Sequence, residues 1–161
     1  MEKGKVVVIH GYGKGKTTSA IGKGIKCLGD GKTVSMIQFL KGKREEGIFD
    51  VLQKLEPEMK VFRFEKHLIK FADLSEEEKE EELGNIRNGL SFAHKVLATG
   101  SCDVLILDEV LGLVDREIIS EDELVGIIKS KPEDMDMIVT GRVLTDNVRA
   151  LADEVYRIDA E

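Results

Sequence analysis

Residues 5–18 read KVVVIHGYGKGKTT, an apolar β-branched run that breaks into alternating glycines and then into Gly15-Lys16-Thr17-Thr18. Such a run suits a strand buried on both faces of a parallel sheet. After the glycines, Ala20, Ile21, Ile25 and Leu28 recur at near-helical spacing until Gly29, Asp30 and Gly31 punctuate the end. The stretch therefore predicts strand, glycine turn, helix. It differs from the usual phosphate-loop pattern of Gly, four residues, then Gly-Lys-Ser/Thr, because His10 stands where the first glycine belongs and Gly11 follows one place late.

Outward from this segment the same alternation continues. Residues 34–39 (VSMIQF) predict a second strand, a helix-like run follows around Phe49, Leu52 and Leu55, and residues 61–64 predict a third strand. Ser75 and Glu78 form a capping-box signature before a long helix ending near Gly100, with Leu83, Ile86, Leu90, Ala93, Val96 and Leu97 as its apolar stripe. Residues 103–108 (DVLILD) and 137–140 supply further strands, separated by a short helix capped by Ser120. A helix over 146–152 and a strand over 155–158 close the chain. Alternation of the two element types predicts a three-layer α/β/α domain with a mostly parallel sheet, similar to P-loop nucleotide-binding proteins of the RecA-like type. With 161 residues, 42% of them hydrophobic, the chain suits one buried core, so residues 1–161 are read as a single nucleotide-binding domain.

Lys and Arg total 24 against 31 Asp and Glu, a balance of −7 that argues against a broad nucleic-acid surface and leaves room for a local cationic pocket. No signal peptide or membrane-spanning run is legible, which points to a cytoplasmic protein with no membrane partner. Cys27 and Cys102 lie far apart and read as buried apolar residues, while His10, His67 and His94 are too scattered for a zinc site or a Ser-His-Asp triad. The acidic run EEEKEEE at 76–82 reads as a solvated helix start that favours the helix dipole.

In open parallel sheets, ligands bind beyond the carboxyl ends of the strands. At the first strand end, Gly11, Gly13 and Gly15 let backbone amides curl around phosphate oxygens, Lys16 meets a phosphate, and Thr17 offers its hydroxyl to a magnesium or manganese ion. Lys14 adds a second cation. At the fourth strand end, Asp108 and Glu109 stand behind that metal; at the fifth, Arg142 can reach a terminal phosphate with its planar fork. The competing reading of the glycines is a tight strand-to-helix connection with no ligand.

These residues resemble those of the ATP:corrinoid adenosyltransferases of the bacterial cobalamin pathway. The resemblance lies in Gly11, Tyr12, Gly13, Lys14, Gly15, Lys16, Thr17 and Thr18; in Ile37-Gln38-Phe39 with Lys41-Gly42; in Leu107-Asp108-Glu109; in Thr140-Gly141-Arg142; and in Leu151-Ala152-Asp153. The late first glycine is itself a trait of that family. The resemblance implies that a reduced corrinoid, cob(I)yrinic acid a,c-diamide or cob(I)alamin, attacks the 5′ carbon of ATP and expels triphosphate. It further implies ATP laid on residues 11–18 in the direction opposite to that of hydrolases, and catalytic roles for Lys16, Glu109 and Arg142. It also implies a homodimer, and it leaves room for an electron-donating reductase. Tyr12 replaces the family's usual Asn, the loop at 43–47 reads KREEG where an aromatic is frequent, and the expectation is of a shortened member without the family's extra N- and C-terminal segments over the corrinoid. Phe39, Phe49, Phe64 and Phe71 are candidates for an apolar surface against the corrin, with core packing as the alternative. Two functional alternatives stand beside adenosyl transfer: a RecA-like ATPase in which Glu109 polarises water, and a non-catalytic corrinoid or nucleotide carrier.

Overall fold

The computed structural model describes residues 3–40, 46–67 and 69–161. The Lys41-Gly42 pair and most of the KREEG loop lie outside the described residues. The element order is β1 (Val6–His10), α1 (Lys16–Gly29), β2 (Val34–Gln38), α2 (Glu46–Gln53), β3 (Met59–Arg63) and a 3-10 turn (Phe71–Asp73). There follow α3 (Glu76–Thr99), β4 (Val104–Asp108), α4 (Val110–Asp115), α5 (Glu121–Lys129), β5 (Asp136–Gly141), α6 (Asp146–Arg149) and β6 (Glu154–Arg157).

Among the described residues, six strands form one sheet in the order β3-β2-β4-β5-β1-β6. Every pairing is parallel, so the expected mostly parallel sheet is wholly so. Side chains alternate between two apolar layers, as the period of two along a strand requires. On one face Val34, Met36, Val104, Ile106, Ile9 and Ile138 pack with Ala20 of α1 and Leu52 of α2. On the other, Val6, Val8, Ile37, Leu105, Leu107, Met137 and Val139 pack with residues of α3, α4, α5 and α6. Burial on both faces makes the strands read as continuous apolar runs rather than alternating ones.

Several boundaries differ from the expected ones for physical reasons. The third strand starts at Met59, earlier than its apolar pattern indicates, because Met59 pairs with Val34 and is fully buried while Lys60 faces outward. Helix α4 carries no sequence signal because Val110, Leu111, Gly112 and Leu113 are all buried, which erases helical periodicity. The capping box of α3 is present, with Glu78 N donating to Ser75 Oγ at 3.2 Å and Ser75 N to Glu78 Oε1 at 3.0 Å. The acidic run that follows is not wholly a solvated face. Glu82 is 2% exposed and accepts hydrogen bonds from Lys66 N and Asn85 Nδ2. It ties the segment after β3 to α3.

Candidate functional site

The carboxyl ends of β1, β5, β4 and β2 lie side by side, with β5 between the glycine turn and Asp108. His10 is a strand residue whose neighbours in register are Gly141 and Arg157, so the standard pattern's first glycine position falls inside the sheet. Burial holds the His10 imidazole below its ordinary range, with Arg149 and Arg157 adding to the effect.

The glycines of the turn have two distinct jobs. The Gly11 amide donates to the Gly141 and Arg142 carbonyls at 3.2 and 3.1 Å, and the Gly13 amide donates to the Ile158 carbonyl at 2.9 Å. A Cβ at Gly11 would lie 2.3 Å from the Ile158 oxygen, and one at Gly13 2.9 Å from it. These two glycines therefore admit the chain leaving β6, and their amides bond within the protein; the expectation that both curl around phosphate is revised accordingly. Gly15 is different. It adopts φ 105°, ψ 4° as the residue before α1, and a Cβ there would meet nothing within 4 Å. Its left-handed backbone turns the chain into the helix, where Ser19 is the first residue to donate to Gly15 O, at 2.8 Å.

Lys16 opens α1, and its ammonium donates to Gly13 O at 2.8 Å, folded back over the turn. Thr17 Oγ1 lies 3.0 and 3.1 Å from the two Asp108 carboxylate oxygens. Asp108 is fully buried and also accepts from Thr140 Oγ1 at 2.8 Å and from Gln38 Nε2 at 3.4 Å. A buried carboxylate is tolerable because its lone pairs are met by donors on three different elements. Thr140 also accepts from Glu109 N at 2.8 Å, joining the ends of β4 and β5. Tyr12 and Thr18 are exposed, as are Lys14 and Arg142. Thr17 and Asp108 are thus brought together directly, whereas Arg142 reaches the crevice with its backbone through the Gly11 contact.

Glu109 has φ 63° and ψ 16°, a left-handed conformation outside glycine's domain, and serves as the residue before α4. Its carboxylate lies over Gly112, where a Cβ would sit 3.2 Å from Oε2. Strain of this kind costs about 1–3 kcal/mol and persists where surrounding contacts impose it; here the Thr140 bond does so. Leu40, at the end of β2, repeats the motif with φ 57° and donates its amide to Glu65 Oε1 at 2.7 Å.

Burial raises the Glu65 carboxyl to about 7, with the Leu40 amide pulling it down, Glu82 pushing it up and Arg116 pulling it down again. A carboxyl whose folded pKa exceeds its unfolded value binds more protons when native, so its contribution to stability falls as pH rises from about 4.5 to about 7. We expect Glu65→Gln, which keeps the acceptor for Leu40, to remove this slope. At pH 8 the variant should gain on the order of 2 kcal/mol over the parent, and at pH 4.5 nothing, read from urea denaturation at the two pH values. Equal differences at both pH values would refute the assignment.

Among the described residues no group of three or more His, Cys, Asp and Glu could hold a metal ion alone. The Thr17 hydroxyl and Asp108 carboxylate are hard oxygen donors, which fit a small divalent cation that brings its remaining ligands as water and phosphate. Three contributors to the site escaped the sequence reading as site residues: Gln38, Thr140 and Arg63. Gln38 and Thr140 were visible within motifs, but Arg63 carried no signal, since an isolated arginine at the end of a short edge strand is unremarkable. Of the corrin-facing aromatics considered, Phe39 is core at 1% exposure, Phe64 lies against Phe92 with ring centroids 5.6 Å apart, and Phe49 lies under Arg63.

A parallel sheet with helices on both faces, and a glycine turn feeding a helix beside a buried aspartate, define an α/β protein whose candidate site lies at the carboxyl ends of its strands. Its fold resembles the second and third ATPases of EssC from Geobacillus thermodenitrificans, with a TM-score of 0.50 at 14% identity over 98% of this chain and 33% of that one. Over residues 2–161 the chain matches the family ATP:corrinoid adenosyltransferase BtuR/CobO/CobP, and it belongs to that family of transferases. It is 30% identical over 157 residues to the corrinoid adenosyltransferase of Escherichia coli strain K12, covering 98% of this chain and 77% of that protein. It is 28% identical over 159 residues to the corrinoid adenosyltransferase CobA of Salmonella typhimurium strain LT2, covering 98% and 77%. No helix among the described residues is long and apolar enough to cross a membrane.

Proposed function

We propose that the protein transfers the 5′-deoxyadenosyl group of ATP to the Co(I) centre of a reduced corrinoid, cob(I)yrinic acid a,c-diamide or cob(I)alamin. The cobalt electron pair forms the bond to C5′, the C5′–O bond breaks, and its electrons leave on triphosphate. The observation that carries this reading is the Thr17–Asp108 pair at the foot of the glycine turn, in a chain of the adenosyltransferase family.

The protein's part is to stabilise a leaving group, because the cobalt nucleophile needs no general base. Amides of Lys14, Gly15 and Lys16, together with the positive end of α1, face the triphosphate, and the Lys16 ammonium exchanges the Gly13 carbonyl for a phosphate oxygen. One preorganised donor of this type is worth about 3 kcal/mol of transition-state stabilisation. Thr17 would hold Mg²⁺ or Mn²⁺, with Asp108 and Glu109 behind it, and such an ion would supply positive charge against the phosphates. Arg142 swings its exposed fork onto the terminal phosphate, and Tyr12 and Thr18 flank the nucleotide. The working unit is a homodimer in the cytoplasm, served by an electron-donating reductase.

The test is incubation with ATP, Mg²⁺ and chemically reduced cob(I)alamin, followed by identification of the products. Adenosylcobalamin with stoichiometric triphosphate is expected. ADP and phosphate alone would replace transfer by hydrolysis, and ATP binding without turnover would favour a carrier.

A further inference from the structure

A row of three side chains crosses the sheet behind the proposed site. Arg63 of β3 pairs in register with Gln38 of β2, and Gln38 pairs in register with Asp108 of β4. Side chains in one register row share a face, and this is the face that α1 covers. Arg63 Nε donates to Gln38 Oε1 at 2.5 Å, and Gln38 Nε2 lies 3.4 Å from Asp108 Oδ2. On its other side the Arg63 guanidinium sits 4.5 Å from the centroid of the Phe49 ring on α2.

The chemistry of the three groups makes the row directional. A guanidinium only donates and an ionised carboxylate only accepts, so they can be linked through an amide in one orientation alone: oxygen toward arginine, NH₂ toward aspartate. Rotating the amide by half a turn would set donor against donor at one end and acceptor against acceptor at the other. Both ends of Gln38 are therefore specified by its neighbours, and it is only 5% exposed, so water does not compete freely.

We infer that Arg63 is a positioning residue for the metal–phosphate site: by fixing the Gln38 amide it fixes the Asp108 carboxylate that faces Thr17. The inference rests on the MgATP site proposed above. Removing the guanidinium frees the Gln38 amide to turn, and Asp108 then loses the Gln38 donor on Oδ2 while keeping its contacts with Thr17 and Thr140. Loss of such an outer partner typically weakens metal binding about 10-fold or more.

The experiment measures ATP binding by calorimetry without corrinoid, across a Mg²⁺ titration and again in EDTA, for the parent, Arg63→Met, Arg63→Lys, Gln38→Leu and the Arg63→Met/Gln38→Leu double variant. Arg63→Met should raise the Mg²⁺ concentration for half-saturation about 10-fold, leave affinity in EDTA unchanged, and be largely rescued by Arg63→Lys. The double variant should match Gln38→Leu, because an effect transmitted through Gln38 vanishes once Gln38 is gone. Additive losses, an equal loss in EDTA, an unaltered Mg²⁺ requirement in Arg63→Met, or parent binding indifferent to Mg²⁺ would each overturn the inference. Because no corrinoid is present, the expected pattern in a protein that makes no adenosylcorrinoid would refute only the transfer reading.

Discussion

Lys16→Ala should abolish measurable MgATP binding and lower adenosyl transfer by about 10³-fold, the upper range for removing one preorganised donor from a developing anion. Lys16 is half-buried at the first position of α1, and its ammonium is held over the turn by the Gly13 carbonyl. A phosphate oxygen can take the place of that carbonyl with little movement. The turn's conformation does not depend on the lysine, since Gly13 is anchored to Ile158 and Gly15 to Ser19. Thermal stability of the ligand-free variant should therefore stay close to that of the parent, as for most partly exposed substitutions. Calorimetry with MgATP and a melting curve check both halves. Unchanged affinity would show that the glycine turn does not bind ATP, and a collapsed melting temperature would make the lysine a structural residue.

Gly11→Ala should destabilise the fold strongly. The added methyl would lie 2.3 Å from the Ile158 oxygen and 3.1 Å from Ile158 C, on a backbone with φ +120°. Both obstacles are main chain, which cannot swing aside as a long side chain can. The cost should be on the order of 3 kcal/mol from overpacking and backbone strain together. That corresponds to a drop in melting temperature of roughly 6–12 °C for a domain of this size. Gly15→Ala provides the contrast: with φ +105° but nothing within 4 Å of the new methyl, only the backbone term applies. It should lose about 1–2 kcal/mol. A Gly15→Ala melt as low as that of Gly11→Ala would show that approach of the β6 end is not what position 11 protects.

These two variants bear on what the turn's spacing means. Three alternating glycines read as a single device for wrapping phosphate, because each permits conformations closed to other residues. The structure separates them. Gly11 and Gly13 are occupied by the chain around Ile158, some hundred and forty-five residues further on, and Gly15 alone shapes the entry to the helix. The displacement of the first glycine follows from the same fact, since His10 is still a strand residue paired with its neighbours.

Much of the fold was legible because buried parallel strands announce themselves as short β-branched runs and because Ser75 and Ser120 sit where helix caps belong. The placement of Lys16 and Thr17 at the start of α1 and of Asp108 at the end of β4 was legible too, because each sits where an apolar run gives way to a different element. Local sequence carries such information because propensity, capping and alternation are properties of neighbouring residues.

What neighbouring residues do not carry is adjacency across the sheet. The order β3-β2-β4-β5-β1-β6 sets Arg63, Gln38 and Asp108 in one row and inserts Thr140 of β5 between the turn and the aspartate. It also brings Ile158 under Gly11 and buries Glu82, which its sequence surroundings mark as a surface residue. Strand order and register arise from the packing of two apolar layers at once, and that long-range competition for burial, rather than any local preference, chose the partners of the site.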